Sequence, residues 1–344
     1  MSSLVDIKVT VVVPNWNGEQ YLTECINSLI NQTLKPSITI VENGSRDGSL
    51  ELIKTKYPEL GLVINKTNLG FAGGVNSGIR KAINEGTQFV ALLNNDAVAD
   101  KDWLKCLVLQ IVADEKVGIT TCKFIDIDGK RIDSTGDFYS VWGLPFPRSR
   151  GEKVDDSKNL STDIFAASGG ASLYRVSMLN QIGLFDEDFF AYYEDVDISF
   201  RAQLSGWKVK YVSESIAYHR IGATSTKIKG FTTYQTMKNL PWLLLKNVPG
   251  SQLWKVLPRF NVAYLSFYLS AIRRHQSWFA TKGIFVSVFL LPKKLLQRRR
   301  IQRNKQVTSA YIWGIIYHDL PPNALKLRRL RTGWERIFGN SNNN

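Results

Sequence analysis

The chain is poor in cysteine and histidine, the residues that build disulfide frameworks and zinc sites. Its 344 residues include three histidines and three cysteines, which are Cys25, Cys106 and Cys122. The cysteines are odd in number and show no CxxC spacing, so neither a disulfide framework nor a zinc site is indicated. The simplest interpretation is a reducing compartment. The chain also starts without a basic segment followed by an apolar one, so we expect no secretory signal.

Two signatures of phosphate-binding loops are missing as well. A dinucleotide-binding domain places GxGxxG directly after its first strand, whereas here the predicted strand at 8–13 is followed by Pro14-Asn15-Trp16-Asn17-Gly18. Neither GxxxxGKS nor GxxxxGKT, the sequences of P-loop proteins, occurs in the chain. These absences argue against both of the common nucleotide-binding classes.

The net charge of +14 is distributed unevenly along the chain. Residues 238–344 contain 19 lysines and arginines but only two acids, Asp319 and Glu335, which gives a balance of +17. The preceding residues hold 25 basic and 28 acidic side chains, a balance of −3. A near-neutral body followed by a strongly basic region indicates a polyanionic partner, either nucleic acid or an anionic membrane surface.

Strand-like and helix-like segments alternate in the first part of the chain. Runs of β-branched or apolar residues predict strands at 8–13, 37–41, 62–64 and 89–93. Apolar residues at helical spacing predict helices at 19–31, around 52–53 and at 75–85. Because strands that alternate with helices form a mainly parallel sheet with right-handed crossovers, the sequence predicts an α/β fold.

The predicted strand at 89–93 ends in the polar residues Asn94, Asn95 and Asp96. Five apolar residues in a row indicate a strand buried on both faces, and open α/β sheets bind ligands at the carboxyl ends of their strands. Asp96 would then be a carboxylate at the edge of the sheet, suited to a divalent cation. The alternative is that the three polar residues only form a turn, since Asn and Asp are common turn residues.

A glycine-rich stretch at 68–76 follows the third predicted strand, and a second run of small residues includes Gly169 and Gly170. Glycine lets a ligand approach the backbone closely, and the helix predicted after the first stretch would favour an anion at its start. The alternative for the first stretch is an ordinary loop between a strand and a helix.

Acidic residues and a histidine follow further along the chain. Glu194, Asp195 and Asp197 lie at the start of the predicted helix at 195–204, just after an aromatic cluster. Acids in a first helical turn complement the helix dipole, which explains one or two of them, but a carboxylate near aromatic rings can also act as a general base. His219 ends a short predicted strand and is either a structural histidine or a second metal ligand.

Seven segments, taken in order, resemble those of family 2 glycosyltransferases of the GT-A fold. The resemblance is strongest to the rhamnosyltransferase branch, which builds bacterial surface polysaccharides, and it covers about the first 225 residues. The segments are VVVPNWNG (11–18), VENGSRDGS (41–49), NKTNLGFAGGVNSGI (65–79), LLNND (92–96), GGASLYR (169–175), FFAYYEDVDISFRAQLSGW (189–207) and HRIGATS (219–225). Together they are far more specific than any one of them alone.

The resemblance implies a role for each matching residue. Those that would bind the nucleotide sugar are Pro14, Asn15, Asn17, Glu42, Asn43, Asn68, Gly70, Asn76, Asn94 and Asn95. Asp96 would hold a divalent cation, Mg²⁺ or Mn²⁺, on the donor diphosphate, and His219 would complete that metal site. Asp195 would be the catalytic base, with Glu194 in support. Those expected on the acceptor side are Gly169, Gly170 and Trp207.

One departure from the family pattern concerns the metal. A DxD motif offers two carboxylates, whereas here the residues that precede Asp96 are amides, so we expect weak metal binding without the nucleotide. The implied reaction is a single in-line displacement that inverts the anomeric carbon. The cation neutralises the diphosphate, and a carboxylate takes the proton of the acceptor hydroxyl.

The resemblance alone favours dTDP-L-rhamnose as the donor and a lipid-linked or polysaccharide acceptor in cell-surface glycan synthesis. Two alternatives use a similar sheet or site. A nucleotidyltransferase would release pyrophosphate rather than a nucleoside diphosphate, and a non-catalytic nucleotide- or glycan-binding protein would tolerate the loss of Asp195.

We place a catalytic domain at 1–230 and a basic helical region at 231–344. The apolar runs at 260–272 and 283–291 are shorter than the roughly 20 residues of a membrane-spanning helix, and cations and amphipathic aromatics flank them. We expect helices that lie in the interface of an anionic membrane, with the protein peripheral on the cytoplasmic, inner face of the cell membrane. The alternative is a helical domain with a solvated basic face. A nucleic-acid partner is not expected, because the cations border apolar stretches instead of forming one polar stripe.

Overall fold

The computed structural model describes residues 7–154, 160–220, 228–322, 324 and 328. Its strands are β1 (Val9–Asn15), β2 (Ser37–Asn43), β3 (Gly61–Asn65), β4 (Phe89–Leu93), β5 (Ala97–Ala99), β6 (Val117–Asp126), β7 (Ile132–Ser134), β8 (Asp137–Tyr139), β9 (Pro145–Pro147), β10 (Thr162–Ile164), β11 (Ala171–Arg175) and β12 (Lys208–His219). Its α-helices are α1 (Glu19–Ile30), α2 (Ser49–Lys56), α3 (Gly70–Asn84), α4 (Trp103–Ala113), α5 (Val176–Ile182), α6 (Glu194–Leu204), α7 (Phe231–Asn247), α8 (Gly250–Arg273), α9 (Ser277–Phe289), α10 (Leu291–Arg303) and α11 (Ser309–Ile315).

Ten of these strands form the central sheet, which has the order β10-β12-β6-β11-β4-β1-β2-β3, with β5 paired to β12 and β7 to β6. β8 and β9 form a separate two-stranded sheet. β3, β2, β1 and β4 run parallel, as the alternation of strands and helices predicts. β11 runs antiparallel between β4 and β6, and β12 is parallel to β6. The predicted α/β class is confirmed, and the reversed β11 makes the sheet mixed.

Helices cover both faces of this sheet, because its central strands are apolar on both sides. On one face α1 and α4 pack against β1 and β4, and their buried side chains include Leu22, Ile26, Trp103 and Leu107. On the other face α3, α5 and α6 supply Val75, Ile79, Leu179 and Ile198. With both faces covered, the carboxyl ends of the parallel strands are the place where open α/β sheets bind their ligands.

Two elements differ from their predicted bounds. α3 begins at Gly70, not near residue 75, so the glycine-rich stretch forms the first turns of the helix instead of a loop. The helix needs small residues there because it lies against the sheet: a Cβ on Gly78 would come 2.4 Å from a methyl group of Val12. β12 is also longer than the predicted strand at 215–218, and a register shift between Val212 and Ile216 interrupts its pairing with β6.

The C-terminal helices share a hydrophobic core with the rest of the chain. Trp242, Leu244 and Phe260 of this region pack in one cluster with Phe189 and Phe200. The described part of the predicted region at 231–344 therefore packs on the predicted catalytic domain.

A buried cluster of ion pairs reinforces this contact. Lys246 of α7 lies 2.5 Å from Asp186 and 2.9 Å from Asp197, and Lys294 of α10 lies 2.8 Å from Asp186. Arg201 pairs with Asp197 at 2.9 Å. Because these charges have little access to water, each depends on its partners for compensation.

We expect Lys246→Met to lower the free energy of unfolding by about 3–5 kcal/mol, because it leaves Asp186 and Asp197 buried with fewer counter-charges. Urea denaturation followed by circular dichroism measures the change. The matched control is Lys105→Met, because Lys105 is 41% exposed and 3.8 Å from Asp102, so its loss should cost under about 0.5 kcal/mol. Equal stability of the two variants would contradict the prediction.

Candidate active site

A cleft of about 670 Å³ opens at the carboxyl ends of β1, β4 and β12. This is the edge at which open α/β sheets bind ligands. The predicted site residues that line it are Pro14, Asn15, Asn43, Asn68, Gly70, Asn94, Asn95, Asp96, Gly169, Gly170, Glu194, Asp195 and His219. The structure thus brings together residues from segments that are up to 205 positions apart, from Pro14 to His219.

A chain of hydrogen bonds fixes the amides at one end of the cleft. Asn15 donates from Nδ2 to Glu42 Oε2 over 2.8 Å, and Asn95 donates from Nδ2 to Asn15 Oδ1 over 2.7 Å. The other carboxylate oxygen of Glu42 accepts from the backbone N–H of Ser45 over 2.7 Å. Glu42 is therefore buried behind Asn15, where it orients the amides instead of lining the cleft.

A second amide fixes the start of α3. Asn43 donates from Nδ2 to the carbonyl oxygen of Gly70 over 2.9 Å and accepts from the backbone N–H of Leu69 over 3.2 Å. Asn68 accepts from the N–H of Gly70 over 2.8 Å. These contacts hold Gly70 at φ +72°, a left-handed conformation that favours glycine.

Asp96 and His219 meet in the cleft. The Nε2 atom of His219 lies 3.3 Å from Oδ1 of Asp96, and that buried oxygen has no hydrogen-bond partner among the described residues. On its other side, Nδ1 of His219 lies 2.8 Å from Oδ2 of the buried Asp133. The ring of Phe124 stacks on the imidazole with centroids 4.6 Å apart. The imidazole is thus held in one orientation, with Nε2 directed toward Asp96.

The two carboxylates also determine the charge of His219. Burial lowers the pKa of the imidazole, but its contacts with Asp133 and Asp96 outweigh burial and raise that pKa to about 9. His219 is consequently protonated at neutral pH in the ligand-free protein.

Glu194 and Asp195 open α6 at the opposite side of the cleft. Asp195 accepts hydrogen bonds from the backbone N–H groups of Gly169 and Val196, at 2.9 and 2.8 Å. Burial nevertheless raises the pKa of Asp195 above its usual range. The pKa of Glu194 is raised further, by burial and by the neighbouring Asp195. A carboxylate with a raised pKa accepts protons more readily, which suits a general base.

The backbone just before α6 is strained. Phe190, Tyr192 and Tyr193 have φ values of 65°, 70° and 73°, which are unfavourable for residues with a side chain. Asn239 of α7 is fully buried and donates from Nδ2 to the carbonyl oxygens of Phe189, Ala191 and Tyr192 over 2.9–3.0 Å. Strain of this kind persists only where surrounding contacts enforce it.

The segment around β7 to β9 contributes residues that the sequence patterns did not single out. Asp133, Asp137 and Arg150 line the cleft, and Arg150 lies 2.7 Å from Asp133. Burial raises the pKa of Asp137, and the nearby Asp195 adds to this effect. The only signal in the sequence was a pair of acids on either side of Ser-Thr-Gly, which is also typical of a plain turn.

Four predicted residues do not line the cleft among the described residues. Asn17 is exposed and accepts from the N–H of Arg46 over 2.8 Å, and Glu42 lies behind Asn15. Asn76 is buried and binds the backbone of Phe185, so it positions a loop instead of bordering the donor. The acceptor-side assignment of Trp207 is corrected, because Trp207 precedes β12 and so lies at the opposite end of that strand from His219.

One predicted segment cannot be placed. Residues 221–225 of HRIGATS lie outside the described residues.

We expect Gly70→Ala to destabilise the protein. A Cβ at this position would lie 2.4 Å from the carbonyl oxygen of Phe190, so the loop before α6 must move. The control is Gly86→Ala, because Gly86 has a similar φ of +77° but a Cβ there would meet no atom within 4 Å. Urea denaturation should show Gly70→Ala losing about 1–3 kcal/mol more than the control. A loss no larger than that of Gly86→Ala would contradict the prediction.

Comparisons with known proteins bear on the fold and the family. The chain is 28% identical over 232 residues to glycosyltransferase GlyA of Streptococcus pneumoniae, with 63% of this chain and 31% of GlyA covered. It therefore spans about a third of that relative. It is 27% identical over 238 residues to the N-acetylglucosaminyl-diphospho-decaprenol L-rhamnosyltransferase of Mycobacterium tuberculosis, with 62% of this chain and 76% of that protein covered.

Solved structures show the same GT-A fold. The structure of GalNAc-T7 with UDP, GalNAc and Mn²⁺ superposes with a TM-score of 0.58 at 16% identity, covering 83% of this chain and 57% of GalNAc-T7. The family model for glycosyl transferase family 2 matches residues 10–183, which is more than half of the chain. The chain belongs to glycosyl transferase family 2.

Proposed function

We propose that this protein is an inverting glycosyltransferase that moves a sugar from a nucleoside diphosphate to a hydroxyl group of a lipid-linked or polysaccharide acceptor. The observation that carries the proposal is the pairing, in one cleft, of a half-buried Asp195 of raised pKa with Asp96 and His219. The proposed donor is dTDP-L-rhamnose, supported by the rhamnosyltransferase among the relatives and by the sequence segments that resemble that branch.

The residues around Asp96 fit a divalent cation, Mg²⁺ or Mn²⁺. The Oδ1 atom of Asp96 is a suitable ligand, and the Nε2 atom of His219, 3.3 Å away, becomes one when it loses its proton, so a cation would bind here in competition with that proton. No group of three or more Asp, Glu, His or Cys side chains that could hold a metal occurs in the described ranges. The remaining ligands would therefore come from the donor diphosphate and water, which agrees with the weak metal binding expected without nucleotide.

Electrostatics also favour a cation in this cleft. Burial raises the pKa of Asp137 and Glu194, so the acids of the cleft lining that stay charged more readily are Asp96 and Asp133, and its basic groups are Arg150 and His219. A diphosphate would bring further negative charge beside these carboxylates, and a cation that accompanied it would offset that charge. When bound, the metal would neutralise charge that develops on the leaving diphosphate.

Asp195 supplies the proton chemistry in the proposed mechanism. Its carboxylate takes the proton of the acceptor hydroxyl as that oxygen forms a bond to the anomeric carbon of the donor. The bond from this carbon to the diphosphate oxygen breaks at the same time, and its electron pair leaves with the nucleoside diphosphate. One in-line displacement inverts the configuration and needs no protein nucleophile.

The backbone contacts of Asp195 assist this role. The N–H groups of Gly169 and Val196 hold both of its carboxylate oxygens, so its orientation is set before the acceptor binds. Glu194 has an oxygen without a hydrogen-bond partner among the described residues. Because its pKa is raised, it stays protonated to a higher pH than an exposed glutamate does.

We expect Asp195→Asn to reduce turnover by about 10²–10⁴-fold while donor affinity stays within about twofold, because the amide cannot accept the proton. The raised pKa of Asp195 also predicts the pH profile. Activity should be lost as the pH falls through a value above the usual aspartate range, since the base is then protonated. Initial rates of sugar transfer across pH, with donor affinity from calorimetry, measure both effects.

The control for this variant is Asp163→Asn, because Asp163 is exposed on β10 and does not line the cleft. Its turnover should match that of the unmodified protein. Full activity of Asp195→Asn would exclude Asp195 as the base. Release of pyrophosphate instead of a nucleoside diphosphate would show a nucleotidyltransferase, and failure of every nucleoside-diphosphate sugar tested with Mg²⁺ or Mn²⁺ to bind would overturn the donor site.

A second prediction concerns Asp133. Because it fixes the imidazole through Nδ1, we expect Asp133→Ala to weaken Mn²⁺ binding by about 10–100-fold in the presence of a nucleoside diphosphate. The free Mn²⁺ signal in electron paramagnetic resonance measures the affinity directly, without turnover. Asp128→Ala removes an exposed carboxylate from the same segment and should leave the affinity unchanged. Equal Mn²⁺ affinities of the two variants would contradict the assignment.

A further inference from the structure

α8 presents apolar residues on two opposite sides. One side, with Val256, Phe260 and Ala263, is buried against the rest of the protein. The other side carries an exposed stripe with spacings of four or three residues, formed by Trp254, Pro258, Val262, Leu265, Leu269 and Ile272. With 3.6 residues per turn these positions line up along nearly the whole helix. An apolar stripe that is not part of the core needs another explanation.

α9 carries a second exposed apolar stripe beside the first. Trp278 is 72% exposed, Phe285 70% and Phe289 72%. The hydroxyl groups of Tyr268 in α8 and Thr281 in α9 lie 3.2 Å apart, which joins the helices along the edges of the two stripes. The stripes of α8 and α9 together form one surface, called here the α8–α9 face.

The charges around this face are of one sign. Residues 215–318 contain no aspartate and no glutamate. Exposed cations accompany the stripes on the same helices, namely Arg259, Arg273, Arg274 and Lys282. Protein surfaces usually mix both signs of charge, so an apolar surface whose own helices carry cations and no acids is complementary to an apolar layer covered by anions.

The face begins next to the mouth of the cleft. Gly230 lies so close to α9 that a Cβ there would meet the ring of Phe279 at 2.2 Å, and Phe279 follows the exposed Trp278. Phe231, which follows Gly230 in the chain, lines the cleft, and its ring centroid lies 6.0 Å from that of Tyr192. A molecule held at the α8–α9 face is therefore close to the entrance of the active site.

We propose that the α8–α9 face docks on an anionic phospholipid bilayer, with α8 and α9 parallel to the membrane plane. Apolar and aromatic side chains would enter the headgroup region while the cations contact lipid phosphates. No helix in the described ranges is long and apolar enough to cross a membrane. The protein would thus be peripheral, in accord with the location expected from its sequence at the inner face of the cell membrane.

Docking on a bilayer deepens the proposed function, and it rests on that function only in the part that concerns a lipid-linked acceptor. A docked enzyme would have its cleft beside the bilayer surface, where a lipid-linked acceptor presents its sugar. Transfer to such an acceptor would then be a surface reaction, whereas transfer to a water-soluble acceptor would not depend on the face.

The experiment is flotation of the full chain with vesicles of phosphatidylcholine alone or with about one-third phosphatidylglycerol. We expect binding to the anionic vesicles and a loss of binding as salt is raised. The double variant Trp278→Ser/Phe285→Ser should lose at least about tenfold in partitioning. Each of Arg273→Gln and Lys282→Gln should lose about fivefold.

The matched control is Leu109→Ser/Val112→Ser on α4, where both residues are exposed to 42% and 37% but lie outside the α8–α9 face. Binding of this control should equal that of the unmodified protein. Binding by the Trp278/Phe285 variant at the level of the control would overturn the proposal. The proposal would also be overturned if the unmodified protein were a dimer that bound no vesicles and the Trp278/Phe285 variant were a monomer. A second copy of the chain would then cover the face.

Measurements without membranes separate this inference from the proposed function. Donor affinity and transfer to a water-soluble acceptor should stay within about twofold in the Trp278/Phe285 variant, since neither residue lines the cleft. If the unmodified protein bound vesicles but transferred no sugar, the proposed function would fail and the docking would stand. If transfer persisted without vesicle binding, the docking alone would fail.

Discussion

The Asn239 amide, whose two N–H bonds are shared among three carbonyl oxygens, is the contact on which the catalytic side of the cleft most depends. The left-handed conformations of Phe190, Tyr192 and Tyr193 each cost about 1–2 kcal/mol, and the contacts of this buried amide help to offset that cost. The loop directs the chain into α6, whose first residues are Glu194 and Asp195. The position of the proposed base is thus set by a side chain on α7, a helix of the basic C-terminal region.

The buried ion pairs extend the same dependence. Lys246 and Lys294 come from α7 and α10, and both contact Asp186, which lies just before the strained loop. The C-terminal helices therefore fix the loop through both hydrogen bonds and charges, in addition to the bond that Ala72 of α3 donates to the carbonyl oxygen of Phe190. The family model ends at residue 183, before this loop, so the matched segment contains neither Asp195 nor His219.

The antiparallel strand β11 connects the two halves of the cleft. The residues that lead into it bind both sides: the carbonyl oxygen of Gly170 accepts from the N–H of Asn94 over 2.9 Å, and Gly169 donates to Asp195 over 2.9 Å. A side chain at Gly170 would collide with Phe124, the ring that stacks on His219. The small residues of this segment therefore bring the Asn94–Asp96 end and the Asp195 end within one cleft.

Much of this arrangement follows from local sequence patterns. The strand Phe89–Leu93 is apolar throughout, and the polar residues after it lie at the sheet edge because parallel strands end there. The positions of Asn76 and Trp207 could not be predicted in the same way. Asn76 faces a loop that is more than 100 residues away, and no local pattern reveals that contact.

The β7 to β9 segment was missed for a related reason. Aspartate is a common turn residue, so nothing in the sequence distinguishes Asp133. Its contact with the imidazole becomes visible only in the fold, where β12 brings His219 beside it. The strained loop could not be predicted from the sequence either. Its aromatic residues give no sign of positive φ angles unless their contact with Asn239 is known. Long-range contacts determine these features, whereas hydrophobic periodicity determines only the elements that they join.

The carboxylates of the cleft also bear on which sugars it can accept. Asp137 and Glu194 are the carboxyl neighbours of the proposed base, Asp195, and burial raises the pKa of all three above the usual range. An acceptor sugar that carried a carboxylate of its own, such as a uronic acid, would have to place that charge where the same burial disfavours an ionised carboxylate. We therefore expect neutral sugars, with their uncharged hydroxyl groups, to suit this cleft better than acidic glycans.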